Sequence, residues 1–164
     1  MNDIFISSLE GNQQLLDGGA MYGNAPKALW QRWSPPDELN RIKLSCRSLL
    51  IETNQLNILC ETGIGAFFEP KLAERYGVTP ADRHILLESL QEKKITEDKI
   101  NYIILSHLHF DHAGGLLPAF EENKEFNKLL FPNAKYIVGA TAWEQAKNPH
   151  SRDRASFIPK IIEL

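Results

Sequence analysis

Apolar positions in this chain come first in short runs, alternating or unbroken, and later at spacings of three and four. That order predicts a mixed α/β arrangement with strands leading. Asp3 to Leu9 reads as a short strand, and Gln13 to Asp17 as a second that ends in a Gly18-Gly19 turn. A loop rich in Trp, Pro and Gly follows. Arg41 to Glu52 and Leu56 to Glu61 read as a hairpin turning near Asn54-Gln55, with apolar stretches long enough to be covered on both faces. TGIGAFFEP makes a glycine-punctuated turn into a short helix, Pro70 to Tyr76. Gly77 stops it, as glycine suits the left-handed position after a helix.

A longer helix is predicted over Ala81 to Lys93, with Ile85, Leu86 and Leu90 on one face. Thr96 opens a brief turn, Asn101 to Ser106 reads as a strand, and so does Ala134 to Val138. Thr141, with Glu144 three residues on, has the pattern of a capping box opening a short helix that carries Trp143. Arg154 to Leu164 places Phe157, Ile158, Ile161, Ile162 and Leu164 on a helical stripe without a glycine cap or a polar tail. Such a stripe is expected to continue, or to need covering. No internal repeat or low-complexity segment interrupts these elements.

Composition narrows the picture. A chain of 164 residues with 43% hydrophobic and 24% charged residues is one globular domain's worth of sequence. A net charge of -3 and a pI near 6.0 give no reason to expect nucleic acid or an anionic membrane as partner. The N-terminus MNDIFISSLEGNQQ lacks a basic, then apolar, secretory pattern, and no window approaches a membrane span, so a cytoplasmic location is expected. Cys46 and Cys60 both fall in the predicted hairpin. Cys60 should lie across from residue 49 or 50, leaving Cys46 about 10 Å or more along the strand. That is too far for a disulfide, and two free thiols are expected.

Residues 104 to 115, ILSHLHFDHAGG, hold the candidate chemistry. A strand ending in His107-Leu108-His109 would set both imidazoles on one side, since alternate side chains share a face. Asp111 and His112 follow where the backbone turns toward Gly114-Gly115, so a carboxylate and a third imidazole can be aimed at the same spot. Imidazole nitrogen and carboxylate oxygen are the donors that Zn²⁺ and similar cations accept at about 2.0 to 2.2 Å. The competing reading is a polar turn in which the backbone satisfies each histidine. Four ligand-type side chains converging at a strand end, where open α/β sheets hold their ligands, favour the metal.

SHLHFDHAGG resembles the H-x-H-x-D-H signature of the metallo-β-lactamase superfamily of metallo-hydrolases. LDGGAMYGNAPKALW (residues 16 to 30), the hairpin RSLLIETNQLNILCETGIG and FPNAKYIVGATAWEQA look like stretches of its lactonase-like branch, which includes N-acyl-homoserine lactonases and some organophosphate hydrolases. The likeness spans essentially the whole chain but only about the N-terminal half of the family's domain. It implies an α/β fold of the αββα sandwich type. Residues 1–164 would supply the N-terminal part of that single domain, one mixed sheet with flanking helices, and one inter-sheet face is expected to be a large apolar patch.

The resemblance further implies two zinc ions per complete site, with His107 and His109 on one and Asp111 and His112 on the other, so that this chain carries a partial site. In the family the metal pair activates a bridging water as hydroxide and polarises the substrate carbonyl, and the resemblance implies a catalytic role for Asp111 in orienting the hydroxide. A histidine, a bridging aspartate and a further histidine complete the family's site from the second half of the fold, and they have no counterpart here. His84, early in a predicted helix, reads as solvated or capping. His150, in NPHSRDR, sits in a polar loop outside the family's Gly-His-Thr-Pro setting.

Glu61 in CETG stands where the family usually has an aspartate bracing the metal loops. It reads equally well as a carboxylate capping the Gly63 to Gly65 turn. Met21 and Tyr22 either line the substrate mouth, as apolar residues do there in lactonase-like relatives, or pack their own loop. Trp30 and Trp33 read as packing.

The activity implied is a zinc-dependent hydrolase that cleaves an ester or lactone bond of a small molecule. One alternative is a half-domain, inert alone, that acts by pairing with another chain, either as a homo-oligomer or with a complementing C-terminal half. Another is a glyoxalase-type thioesterase. Against it stand the lack of a basic stretch for an anionic thiol carrier and the lactonase-like DGGAMYG block.

Overall fold

The computed structural model describes residues 3–124 and 126–164. Among the described residues seven strands form, β1 (Ile4–Leu9), β2 (Gln13–Asp17), β3 (Arg41–Ser45), β4 (Ser48–Thr53), β5 (Asn57–Cys60), β6 (Tyr102–Leu105) and β7 (Lys135–Val138). Five of them make one mixed sheet in the order β1-β4-β5-β6-β7, and β2 and β3 pair separately. Pairing is antiparallel from β1 through β4 to β5 and parallel from β5 through β6 to β7. The helices are α1 (Gly18–Tyr22), α2 (Lys27–Trp30), α3 (Pro70–Tyr76), α4 (Ile85–Glu92), α5 (Phe110–Ala113), α6 (Ala140–Lys147) and α7 (Pro159–Glu163). None of them is long and apolar enough to cross a membrane. The α/β class and the mixed sheet with flanking helices are as expected.

The alternation within each strand divides the large sheet into two apolar faces. Leu9, Leu50, Leu59, Ile103 and Leu105 point to one face and are buried with Leu86 and Leu90 of α4 and with Leu116, Leu117 and Phe131. The opposite face carries the cross-strand rows Ile6, Ile51 and Ile58, and Leu49, Cys60, Ile104 and Ile137. Ile6 is 64%, Leu49 40%, Ile104 38% and Ile137 46% exposed. This is the uncovered apolar face expected of half a sandwich.

The structure departs from the predicted elements at several places, and the residues read as a Gly18-Gly19 turn and a loop contain the short helices α1 and α2. Arg41 to Glu52 is two strands, because the chain changes sheets at Cys46-Arg47. Gly11 and Gly63 press on that crossing so closely that a Cβ at either would lie 2.2 or 2.6 Å from the Cys46 carbonyl oxygen. Both cysteines are free, and Cys60 pairs across from Leu49. The helix predicted from Ala81 begins only at Ile85. The fully buried Asn12 seizes the preceding turn, donating from Nδ2 to the Pro80 and Arg83 carbonyls (2.7 Å each) and accepting from the Ile85 amide (3.1 Å). It thus caps α4 from 73 residues away.

The Thr141 capping box does not form. Gly139 occupies the N-cap position of α6, and Glu144 pairs instead with Lys147 at 2.7 Å. The terminal stripe is broken by Pro159, whose ring disfavours a helical residue before it, and Ile158 is extended. Phe157 and Ile161 are nevertheless buried.

Candidate metal centre

The parallel strand β6 ends at Leu105, before the histidines, so His107 and His109 do not share a strand face as expected. Ser106 is a bend and His107 and Leu108 are irregular, His109 takes the N-cap position of the single-turn helix α5, and a 3-10 turn, Gly114–Leu116, follows. Helical geometry therefore delivers Asp111 and His112. The segment still brings ligand-type atoms together: one donor atom each from His107, Asp111 and His112 lies within 4.8 Å of the others. The rings of His107 and His112 are 4.1 Å apart, and those of His107 and His109 4.5 Å. His109 adjoins the group but contributes no atom to it, and its ring meets Phe157 edge-on at 4.5 Å.

Glu61 links the strand end to His112. Its Oε1 accepts the Ser106 amide at 2.8 Å, and its Oε2 lies 3.1 Å from His112 Nδ1. Both oxygens are thus used at the metal loop rather than at the Gly63 to Gly65 turn. With Nδ1 occupied, His112 presents Nε2, 3.6 Å from Asp111 Oδ2. Ser106 Oγ is 2.9 Å from His107 Nδ1, which leaves the Nε2 of that ring free. A carboxylate behind a histidine fixes the ring's orientation and raises its basicity, an arrangement common behind metal-bound imidazoles. The buried Thr62 holds the same turn, donating from its amide (2.9 Å) and Oγ1 (2.8 Å) to the His112 carbonyl.

The electrostatics follow from these contacts. The hydrogen bond to Glu61 holds the His112 ring above its usual pKa, against the opposing effect of burial. Burial would push the Glu61 carboxyl up, but the bonds from His112 and Ser106 outweigh it and hold the group below its usual range. Burial first, and then repulsion from His112 and His109, pushes His107 down toward the neutral form that binds metals. In the metal-free protein the stability from His112 is present below about 6.5 and lost as pH rises through its raised pKa. That from Glu61 is present above about 4.5 and lost as pH falls through its lowered pKa. Glu61→Gln in the metal-free protein is expected to lower the His112 pKa toward 6.5, as read from imidazole NMR titration; an unchanged value would contradict the pairing.

The other singled-out residues lie apart from this group. His84 does occupy the N-cap position of α4, but its side chain neither caps the helix nor meets solvent; it is 7% exposed with Nε2 3.2 Å from the Gly115 carbonyl. The exposed His150 accepts the Arg152 amide in its own loop. Met21 is exposed, while Tyr22 stacks on the buried Trp30 at 4.9 Å, as packing residues do. Trp33, expected to pack, is 67% exposed, on the solvent side of the turn after α2. Thr62, Ser106 and His84 have side chains that support the loop and were not foreseen as such. The position of Thr62 beside Glu61 was the one available signal.

The donor set, the single-turn helix and the mixed sheet together define a family. The metallo-beta-lactamase superfamily model matches residues 41–153, and the chain belongs to that superfamily. An N-acyl homoserine lactonase from Bacillus thuringiensis is 30% identical over 144 residues, an alignment covering 78% of this chain and 50% of that one. Among solved structures, a probable metal-dependent hydrolase from Staphylococcus aureus superposes with a TM-score of 0.84 at 31% identity, covering 96% of this chain and 55% of its own. AidC, a dizinc quorum-quenching lactonase, shares the fold with a TM-score of 0.66 at 22% identity, covering 98% of this chain and 54% of its own. The chain spans about half the length of the curated relatives it matches.

Proposed function

We propose that this chain supplies the N-terminal part of a zinc-dependent hydrolase that opens an ester or lactone bond. The observation that carries the reading is the convergence of His107, Asp111 and His112, with Glu61 braced behind His112. The donor chemistry fits zinc, since two imidazoles and a carboxylate are ligands of the type it accepts. His107, Asp111 and His112 would hold the metal, and His109, whose ring lies 4.5 Å from that of His107, would join them. When bound, zinc lowers the pKa of water toward about 7 and polarises a carbonyl oxygen. The chain's own part is to present the His107 imidazole in its neutral form, to hold His112 in one orientation through Glu61, and to let Asp111 accept the hydrogen bond that orients the attacking water.

The lactonase relatives direct the substrate choice. Protein made from the complete reading frame is expected to open N-acyl homoserine lactones, read as acid release at constant pH. Chelation should abolish the activity, and zinc should restore it. A zinc-loaded protein that opens neither lactones nor simple esters would sink the proposal.

The uncovered sheet face supports a second reading of how the site is completed, namely pairing with another chain. Sedimentation of the 164-residue chain separates the two: pairing predicts a stable dimer with bound zinc, whereas a single-chain domain predicts that the isolated piece holds zinc poorly.

A further inference from the structure

The buried histidine that the hydrolytic reading does not use is His84. A carbonyl oxygen only accepts, so the 3.2 Å approach of Nε2 to the Gly115 carbonyl requires that Nε2 carry the hydrogen. In that neutral tautomer Nδ1 is a bare acceptor, and it has no partner among the described residues. An unpaired buried nitrogen costs free energy that an apolar side chain at this position would avoid. Burial also drives the ring below its usual pKa, which favours the neutral form.

The bond lands on a turn held at several points. The Gly115 amide donates to the Gly63 carbonyl at 2.9 Å, and Thr62 holds the His112 carbonyl with two bonds. Those anchors all come from the loop after β5. His84 comes instead from the start of α4, which Asn12 fixes through Pro80, Arg83 and Ile85. It is therefore an independent tie between the helix layer and the segment that carries Asp111 and His112.

We propose that His84 is a positioning residue for the metal loop, its Nε2–H holding the Gly115 carbonyl and so fixing the turn that aims Asp111 and His112. The proposal rests on the reading of those residues as metal ligands. Removing a supporting contact of this kind typically weakens metal binding by about 10-fold or more. A glutamine can place its amide nitrogen near the position of Nε2, whereas asparagine is too short.

The test uses protein from the complete reading frame and measures zinc affinity by competition with a chromogenic chelator, with thermal unfolding followed in parallel. His84→Ala and His84→Asn are expected to bind zinc about 10-fold more weakly, and His84→Gln to recover most of that loss. In the wild-type protein, long-range ¹H–¹⁵N NMR should show His84 as the neutral Nε2–H tautomer, a reading that requires no variant to fold. Equal zinc affinity in all four proteins, no recovery in His84→Gln, or an Nδ1–H tautomer would each overturn the proposal. A wild-type protein that binds no zinc would overturn the metal-centre reading and this proposal with it, while the tautomer still reports whether the hydrogen bond forms.

Discussion

His107→Ala is expected to cut ester or lactone hydrolysis by about a thousandfold or more while leaving the protein folded. Metal polarisation contributes several kcal/mol at the transition state, and about 1.4 kcal/mol corresponds to tenfold in rate. His107 belongs to the gathered donor group and its ring is only partly buried, so truncation removes a ligand without opening a cavity in the core. The experiment compares kcat/KM and zinc content with wild type and checks the fold by circular dichroism. A folded variant with near wild-type turnover would remove His107 from the site.

Gly115→Ala should be the most damaging single-methyl change near the site. An added Cβ would lie 2.0 Å from the Thr62 carbonyl oxygen and 2.9 Å from its carbon, a collision with backbone that side-chain rotation cannot relieve. Overpacking of this severity costs about 3 kcal/mol or more, which in a chain of this size lowers the melting temperature by roughly 10 °C. Gly139→Ala is the control, since a Cβ there meets nothing within 4 Å. Its unfolding midpoint should stay within a few degrees of wild type, and similar losses in the two variants would show that the close approach at Thr62 does not set the cost.

The elements were readable where a local pattern determined them. Gln13–Asp17 and Pro70–Tyr76 form over the residues predicted, because a short run closed by Gly18-Gly19 in the first and a proline start with a glycine stop in the second are local signals. The hairpin turn after Thr53 was also correct, and so was the pairing of Cys60. Errors arose where distant residues intervene. Asn12 shortens α4, and nothing near Ala81 announces it. The sheet change at Cys46 depends on two glycines, one before and one after it in sequence, that meet only in the fold.

The three residues the structure gathers, His107, Asp111 and His112, were legible in the motif, but their geometry was not. The motif named His107, His109, Asp111 and His112, yet the assumption of strand alternation through His109 fails because β6 stops at Leu105. The one-turn helix, not the strand, sets the spacing of Asp111 and His112. The second role left open for Glu61 is decided by where its two oxygens fall, and the role of His84 depends on a contact across 31 residues that no local pattern encodes.

The sheet face bearing Ile6, Leu49, Ile104 and Ile137 also bears on how this polypeptide behaves in a test tube. Strand β1 is an edge of the sheet, and its Ile4, Phe5 and Ile6 are each more than 60% exposed. An edge that combines open backbone hydrogen-bonding groups with neighbouring greasy side chains is a template for strand-to-strand growth. Handled without a covering layer, the chain should gather into aggregates nucleated at its N-terminal edge, and a lysine at position 6 would act as a gatekeeper against that growth.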